Sequence, residues 1–70
     1  MKVEQYTIGD INIFEYNFKF NEGNYSVAIS DGVITDVRCV NNGICTYVQE
    51  PLRSQIIKFF KKELNDKDNM

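Results

Sequence analysis

Apolar side chains in the first fifty residues recur at every second position, in short runs broken by Gly, Asn and Asp. After Pro51 the spacing changes to threes and fours. Period-two alternation between turn residues marks half-buried strands, and a three-four spacing marks one face of a helix. The pattern predicts strands over 3–8, 11–20, 25–29 and 33–40, a fifth short run over 44–48, and a helix ending near Leu64. Residues 1–64 then form a single domain, and the polar stretch 65–70 reads as a frayed tail.

The longest run is the most informative. From Phe14 onward, Phe14, Tyr16, Phe18 and Phe20 take one face while Glu15, Asn17 and Lys19 take the other. Ile11 and Ile13 are out of phase with the aromatic set, and one extra residue near Asn12–Phe14, a β-bulge, would reconcile them. A four-residue turn, Asn21-Glu22-Gly23-Asn24, would set Phe20 opposite Tyr25, Phe18 opposite Val27 and Tyr16 opposite Ile29. A three-residue loop, Ser30-Asp31-Gly32, would match Ile29 with Val33, Val27 with Thr35 and Tyr25 with Val37. Two registers compete at Asn41-Asn42-Gly43. A three-residue loop pairs Cys39 with Cys45, and a two-residue Asn42-Gly43 turn pairs Cys39 with Thr46; analogy with the preceding hairpin favours the first.

Leu52, Ile56, Phe59, Phe60 and Leu64 lie on one helical stripe, which Ile57 widens. Pro51 suits the first helical position, where its missing N–H costs nothing. One apolar sheet face (Phe14 to Phe20, Tyr25, Val27, Ile29, Val33, Val37, Cys39) and one apolar helix stripe cover each other most economically as two layers. The expected fold is α+β: a four- to five-stranded antiparallel β-meander packed on one face by a single C-terminal helix. A helix of about four turns is roughly 20 Å long and 10 Å wide, whereas five strands span about 20 Å across. Part of the aromatic row is therefore expected to lie beyond its reach.

Composition narrows the chemistry. The 70 residues include no histidine, which removes the usual general base at neutral pH and the commonest metal ligand. Two cysteines alone cannot make a four-ligand zinc site. No cofactor-binding motif is present: Gly9, Gly23, Gly32 and Gly43 each sit in a turn signal, and none leads into a helix as a phosphate cradle does. Glu15, Asp31 and Asp36 lack the cleft that carboxylate catalysis requires. No run approaches the ~20 apolar residues of a membrane span, and the first residues show no hydrophobic signal core. A cytoplasmic location with reduced thiols is expected. Eight asparagines and one alanine suit an AT-rich genome, such as that of a low-GC bacterium or its phage.

Charge is divided unevenly. Residues 1–50 carry three bases against seven acids, and residues 51–70 carry five bases against three acids. Arg53, Lys58, Lys61 and Lys62 are expected on the polar side of the helix as a candidate interaction surface for an acidic partner or a nucleic-acid backbone. The overall charge of −2 opposes general nucleic-acid binding.

Exclusion thus leads to a non-enzymatic protein-binding module, an accessory, regulator or inhibitor of phage or mobile-element type. Its partner is a foreign protein or a second copy, met at a sheet edge or at uncovered apolar surface. The alternatives are a weak nucleic-acid binder using the basic helix face and a thiol-based redox sensor using Cys39 and Cys45.

Overall fold

A computed structural model describes residues 1–68. It has five strands, β1 (Lys2–Ile8), β2 (Ile11–Phe20), β3 (Gly23–Ser30), β4 (Val33–Asn41) and β5 (Ile44–Tyr47), followed by one helix, α1 (Leu52–Asp68). The strands pair antiparallel in chain order, β1-β2-β3-β4-β5. This is the α+β meander with a C-terminal helix that the hydrophobic pattern implies. The helix runs past Leu64 through Asp68, into the stretch expected to fray, and the rest of that stretch, Asn69 and Met70, lies outside the described residues.

The Gly9-Asp10 turn is as the sequence suggests, and the other three hairpins are tighter than the loops expected for them. Ile8 pairs with Ile11, Phe20 with Gly23, Ser30 with Val33 and Asn41 with Ile44, so every connection is a two-residue turn. Positive φ at Asn21 and Glu22, Asp31 and Gly32, and Asn42 and Gly43 gives three of them the left-handed pair of residues that matches strand twist. In the Asn21–Asn24 segment, the expected four-residue turn is replaced by Asn21-Glu22. Gly23 is instead a strand residue whose missing Cβ makes room for the Tyr25 ring, since a Cβ there would lie 2.8 Å from that ring. The partners shift accordingly to Phe18–Tyr25, Tyr16–Val27 and Phe14–Ile29, still on one face.

The bulge is in β4, not in β2. β2 pairs without interruption on both sides, whereas the β3–β4 register shifts between Ala28 and Ile29 and leaves Thr35 as the extra residue. The Thr35 hydroxyl donates to the Ala28 carbonyl at 3.3 Å, which satisfies an acceptor beside the disrupted ladder. This bulge does what the three-residue loop was expected to do. It allows the tight Asp31-Gly32 turn and keeps the face apolar, but with Val27 against Val37 and Tyr25 against Cys39 in place of the expected Val27–Thr35 and Tyr25–Val37. Ile34 then takes the helix-facing place opposite Ile29, and Val33 moves to the other face.

The core lies between the sheet and α1. Val27, Val37, Val48, Ile56 and Phe60 are buried, with Tyr16, Phe18, Phe20, Tyr25, Ile29, Ile34, Leu52 and Leu64 packed around them. Phe60 meets Tyr16 edge-on at 5.0 Å between ring centroids and stacks on Phe18 at 5.9 Å. Phe59 lies 5.0 Å from Phe20 and 5.7 Å from Phe18. One pair of adjacent helix residues thus covers three of the four β2 aromatics, and Phe14 at the far end stays 39 % exposed.

Candidate functional site

The sheet's second face carries no helix. Register places Lys2, Glu4, Tyr6 and Ile8 of β1 on it, beside Asn17, Glu15, Ile13 and Ile11 of β2. Ser26, Ala28 and Ser30 of β3 continue it, followed by Arg38, Asp36 and Val33 of β4 and by Tyr47 of β5. The face was expected to be polar, and half of it is not. Tyr6, Ile8, Ile11 and Ile13 adjoin one another at the end nearest the Gly9-Asp10 turn, and Val33 lies on the same face beyond Ser30, with Ile8 and Val33 more than 60 % exposed. Single exposed apolar residues are ordinary, and it is their grouping on neighbouring strands that sets this end of the face apart.

The other half of the face is held by polar contacts. Tyr6 donates its hydroxyl to Glu15 at 3.2 Å. Partial burial, then the Glu15 carboxylate, pushes the Tyr6 phenol above its ordinary value. Arg38 bridges to Asp36 at 3.3 Å and lies over the Tyr47 ring, 5.3 Å from its centroid. Glu15 and Asp36 sit on either side of Ala28, two strands apart, or about 10 Å at the usual spacing. They share no cleft, and each already has a partner. Asp31 belongs to its turn.

β1 is the second element of the site. All of its residues are exposed, it pairs with β2 alone, and it contains neither proline nor a bulge. Bonded and non-bonded pairs alternate away from a two-residue turn, so Ile8, Tyr6, Glu4 and Lys2 bond toward β2. Val3, Gln5 and Thr7 consequently turn their N–H and C=O groups outward. The opposite edge, β5, is four residues long and also fully exposed.

The helix residues singled out from the sequence divide into two groups. Lys58, Lys61 and Lys62 are exposed and share one side of α1 at three- and four-residue spacing. Arg53 is half-buried and stands in line with Ile57, Phe60 and Leu64, at the margin of the packed stripe. The basic surface is therefore three lysines, not four cations.

Cys39 and Cys45 do not meet. The two-residue Asn42-Gly43 turn pairs Cys39 with Thr46 and Cys45 with Val40, so the thiols project from opposite faces. The expectation that a three-residue loop would bring them together is overturned, and both are free. The reason is local: Asn42-Gly43 adopts the doubly left-handed turn that closes a hairpin in two residues.

Three observations complete the picture of the described residues. An open depression of about 410 Å³ is lined by Asn17, Phe18, Lys19, Asn24, Tyr25, Val40 and Asn42, with no acidic residue or cysteine among them. No three ligating side chains come together in a way that could hold a metal ion. No helix is long and apolar enough to cross a membrane.

The open-face group is hidden in the sequence because Ile11 and Ile13 are out of phase with the aromatic set, which a bulge in β2 would explain equally well. The signal was present: a two-residue Gly9-Asp10 turn makes Ile8 and Ile11 a pair, and unbroken alternation then carries Ile13 to their face. Comparison with protein families, curated proteins and solved structures gives no match to this chain.

Proposed function

We propose that this chain is a non-enzymatic protein-binding module that takes up an extended segment along the β1 edge. The observation that carries the reading is β1 itself: seven residues exposed on both faces, an unbroken outer edge, and the Tyr6–Ile8–Ile11–Ile13 group beside it. Folded proteins usually blunt such an edge with proline, a bulge, charged side chains or a covering loop, and of these β1 has only the charges of Lys2 and Glu4. Strand addition supplies main-chain hydrogen bonds, and the flanking side chains supply specificity. The reading gives the apolar side chains on the open face a role that the core does not.

Gln5→Pro tests it, because the Gln5 N–H points outward and its loss leaves the β1–β2 ladder intact. Wild type and Gln5→Pro would be used side by side to capture proteins from the cell of origin. The reading expects a chain held by wild type and released by Gln5→Pro, with slowed exchange of the Val3, Gln5 and Thr7 amides in the complex. Capture that is equal for both proteins, with those amides unchanged, overturns it.

The exposed side of Lys58, Lys61 and Lys62 favours a second reading, contact with a nucleic-acid backbone. Three phosphate contacts would give a shallow salt slope and low affinity. Absence of binding to single-stranded RNA or DNA at low salt removes this reading.

A further inference from the structure

We propose that the segment taken up by the β1 edge is β1 of a second copy, antiparallel about a two-fold axis through Val3. The inference rests on the edge-binding reading above and names its occupant. In this register the outward-facing Val3 residues form the bonded pair at the axis, and Gln5 pairs with Met1 of the second copy. Lys2 then stands opposite Glu4 of the second copy, and Glu4 opposite its Lys2, both as non-bonded pairs, the kind with the shorter cross-strand distance. The two sheets become one, with both helices on the same side.

Charge complementarity selects both occupant and register. Lys2 and Glu4 project from the same face, two residues apart and 3.7 Å from each other, with side chains 77 % and 54 % exposed. An alternating plus-minus pair read antiparallel against itself is self-complementary, and directly opposed unlike charges stabilise a sheet while like charges destabilise it. A register centred on Glu4 would set the two Glu4 carboxylates against each other. One centred on Gln5 would set Lys2 against Ile8 and Glu4 against Tyr6, and one centred on Tyr6 would set Glu4 against Ile8. Only the Val3-centred register answers both charges, and it brings the two half-exposed Val3 side chains together on the helix-bearing face. The β5 edge, Ile44-Cys45-Thr46-Tyr47, has no charge with which to set a register. A two-fold β1 contact also closes on itself as a dimer, whereas β1 against β5 is head-to-tail and would lead to a ring or a filament.

Charge exchange tests the proposal. Wild-type solution mass, measured with reductant over a dilution series, should move between 8.2 kDa and twice that value. Lys2→Glu and Glu4→Lys should each weaken self-association about tenfold or more, since each turns two unlike pairs into like ones. An equimolar mixture of the two variants should recover wild-type association, because one chain then carries two acids and the other two lysines at these positions. Both side chains are exposed, so far-UV circular dichroism should show an unchanged fold.

Val3→Cys, in a chain with Cys39→Ser and Cys45→Ser, should oxidise to a disulfide-linked dimer, since a bonded pair has Cα atoms about 5.5 Å apart. A wild-type chain of 8.2 kDa at every concentration, or of masses that climb beyond a dimer, overturns the proposal. So does a mixture that stays as weak as its components. The parent reading fails separately: it survives a monomeric wild type if Gln5→Pro still releases a foreign chain, and it falls with the dimer if Gln5→Pro leaves self-association unchanged.

Discussion

At the residue scale, the α1 N-terminus shows how a poor cap by propensity can serve by reach. Glu50 is not among the preferred N-cap residues. Its carboxylate nevertheless accepts the Ser54 N–H at 2.8 Å and the Ser54 hydroxyl as well, which satisfies one of the donors a helix start leaves open. Negative charge there also complements the helix dipole. Glu50→Ala should therefore lower stability by about 0.5–2 kcal/mol, the range for losing a cap, measured by urea unfolding. Glu50→Gln, which keeps an acceptor, should lose less. Equal urea midpoints for Glu50→Ala and wild type would show the helix start to be satisfied by water.

Tyr6 makes a second residue-scale prediction through its hydroxyl on Glu15. Its folded pKa lies above the ordinary 10.0, so the folded state holds the phenol proton more tightly than the unfolded chain does. The associated stabilisation is present below pH 10.0 and is lost as pH rises through the raised folded value. Tyr6→Phe should remove this part of the alkaline loss, seen as a flatter decline of the urea midpoint above pH 10.0. A decline as steep as that of wild type would place the loss on other groups.

At the scale of elements, periodicity was legible and register was not. The strand runs, the helix and the helix-facing side chains from Tyr16 to Cys39 follow from alternation, because a half-buried sheet forces period two. Turn length is decided by backbone conformations that composition states weakly. Glu22 adopts φ 68° without being Gly or Asn, and Gly23 serves the Tyr25 ring rather than the turn. The Thr35 bulge was equally hidden, since threonine suits an ordinary strand position. Two placements then changed together: Val33 went to the open face and Ile34 to the core.

The bulge has a direct test. Deleting Thr35 would join Ile34 to Asp36 and keep Ile29–Ile34, Ala28–Asp36 and Val27–Val37 as direct pairs in an unbroken ladder. The deletion should cost no more than about 1 kcal/mol, the central effect of a single change. Deleting Arg38 instead would turn one side of β4 inside out, because a one-residue slip exchanges the faces, and should abolish cooperative unfolding. If the Thr35 deletion proves as damaging as the Arg38 deletion, the bulge supplies twist that the sheet needs in order to meet α1.

At the scale of the whole molecule, two layers cover only one side of one sheet, and the uncovered remainder is where function is argued. The basic side of α1 was readable from lysine spacing, apart from Arg53, which packing draws into the margin of the stripe. The β1 edge follows from the meander order alone, whereas the open-face group was harder to read because it depends on register. Stability should follow the same geography, because segments with few buried contacts open most easily. Amide exchange should be slowest near Val27, Ile56 and Phe60, which are buried, and fastest along β1, where no residue is. Concentration then separates the pairing geometries. In a monomer the outward amides of Val3, Gln5 and Thr7 should exchange near solvent rates. Pairing about Val3 should protect Val3 and Gln5 while leaving Thr7 fast, since β1 starts at Lys2 and the register sets none of its residues opposite Thr7. Pairing about Gln5 would protect all three, because it brings Val3 of one copy opposite Thr7 of the other. Protection of Thr7 on concentration would therefore reject the Val3 axis while retaining the edge, and fast exchange at all three amides in a proven dimer would move the contact off β1 altogether.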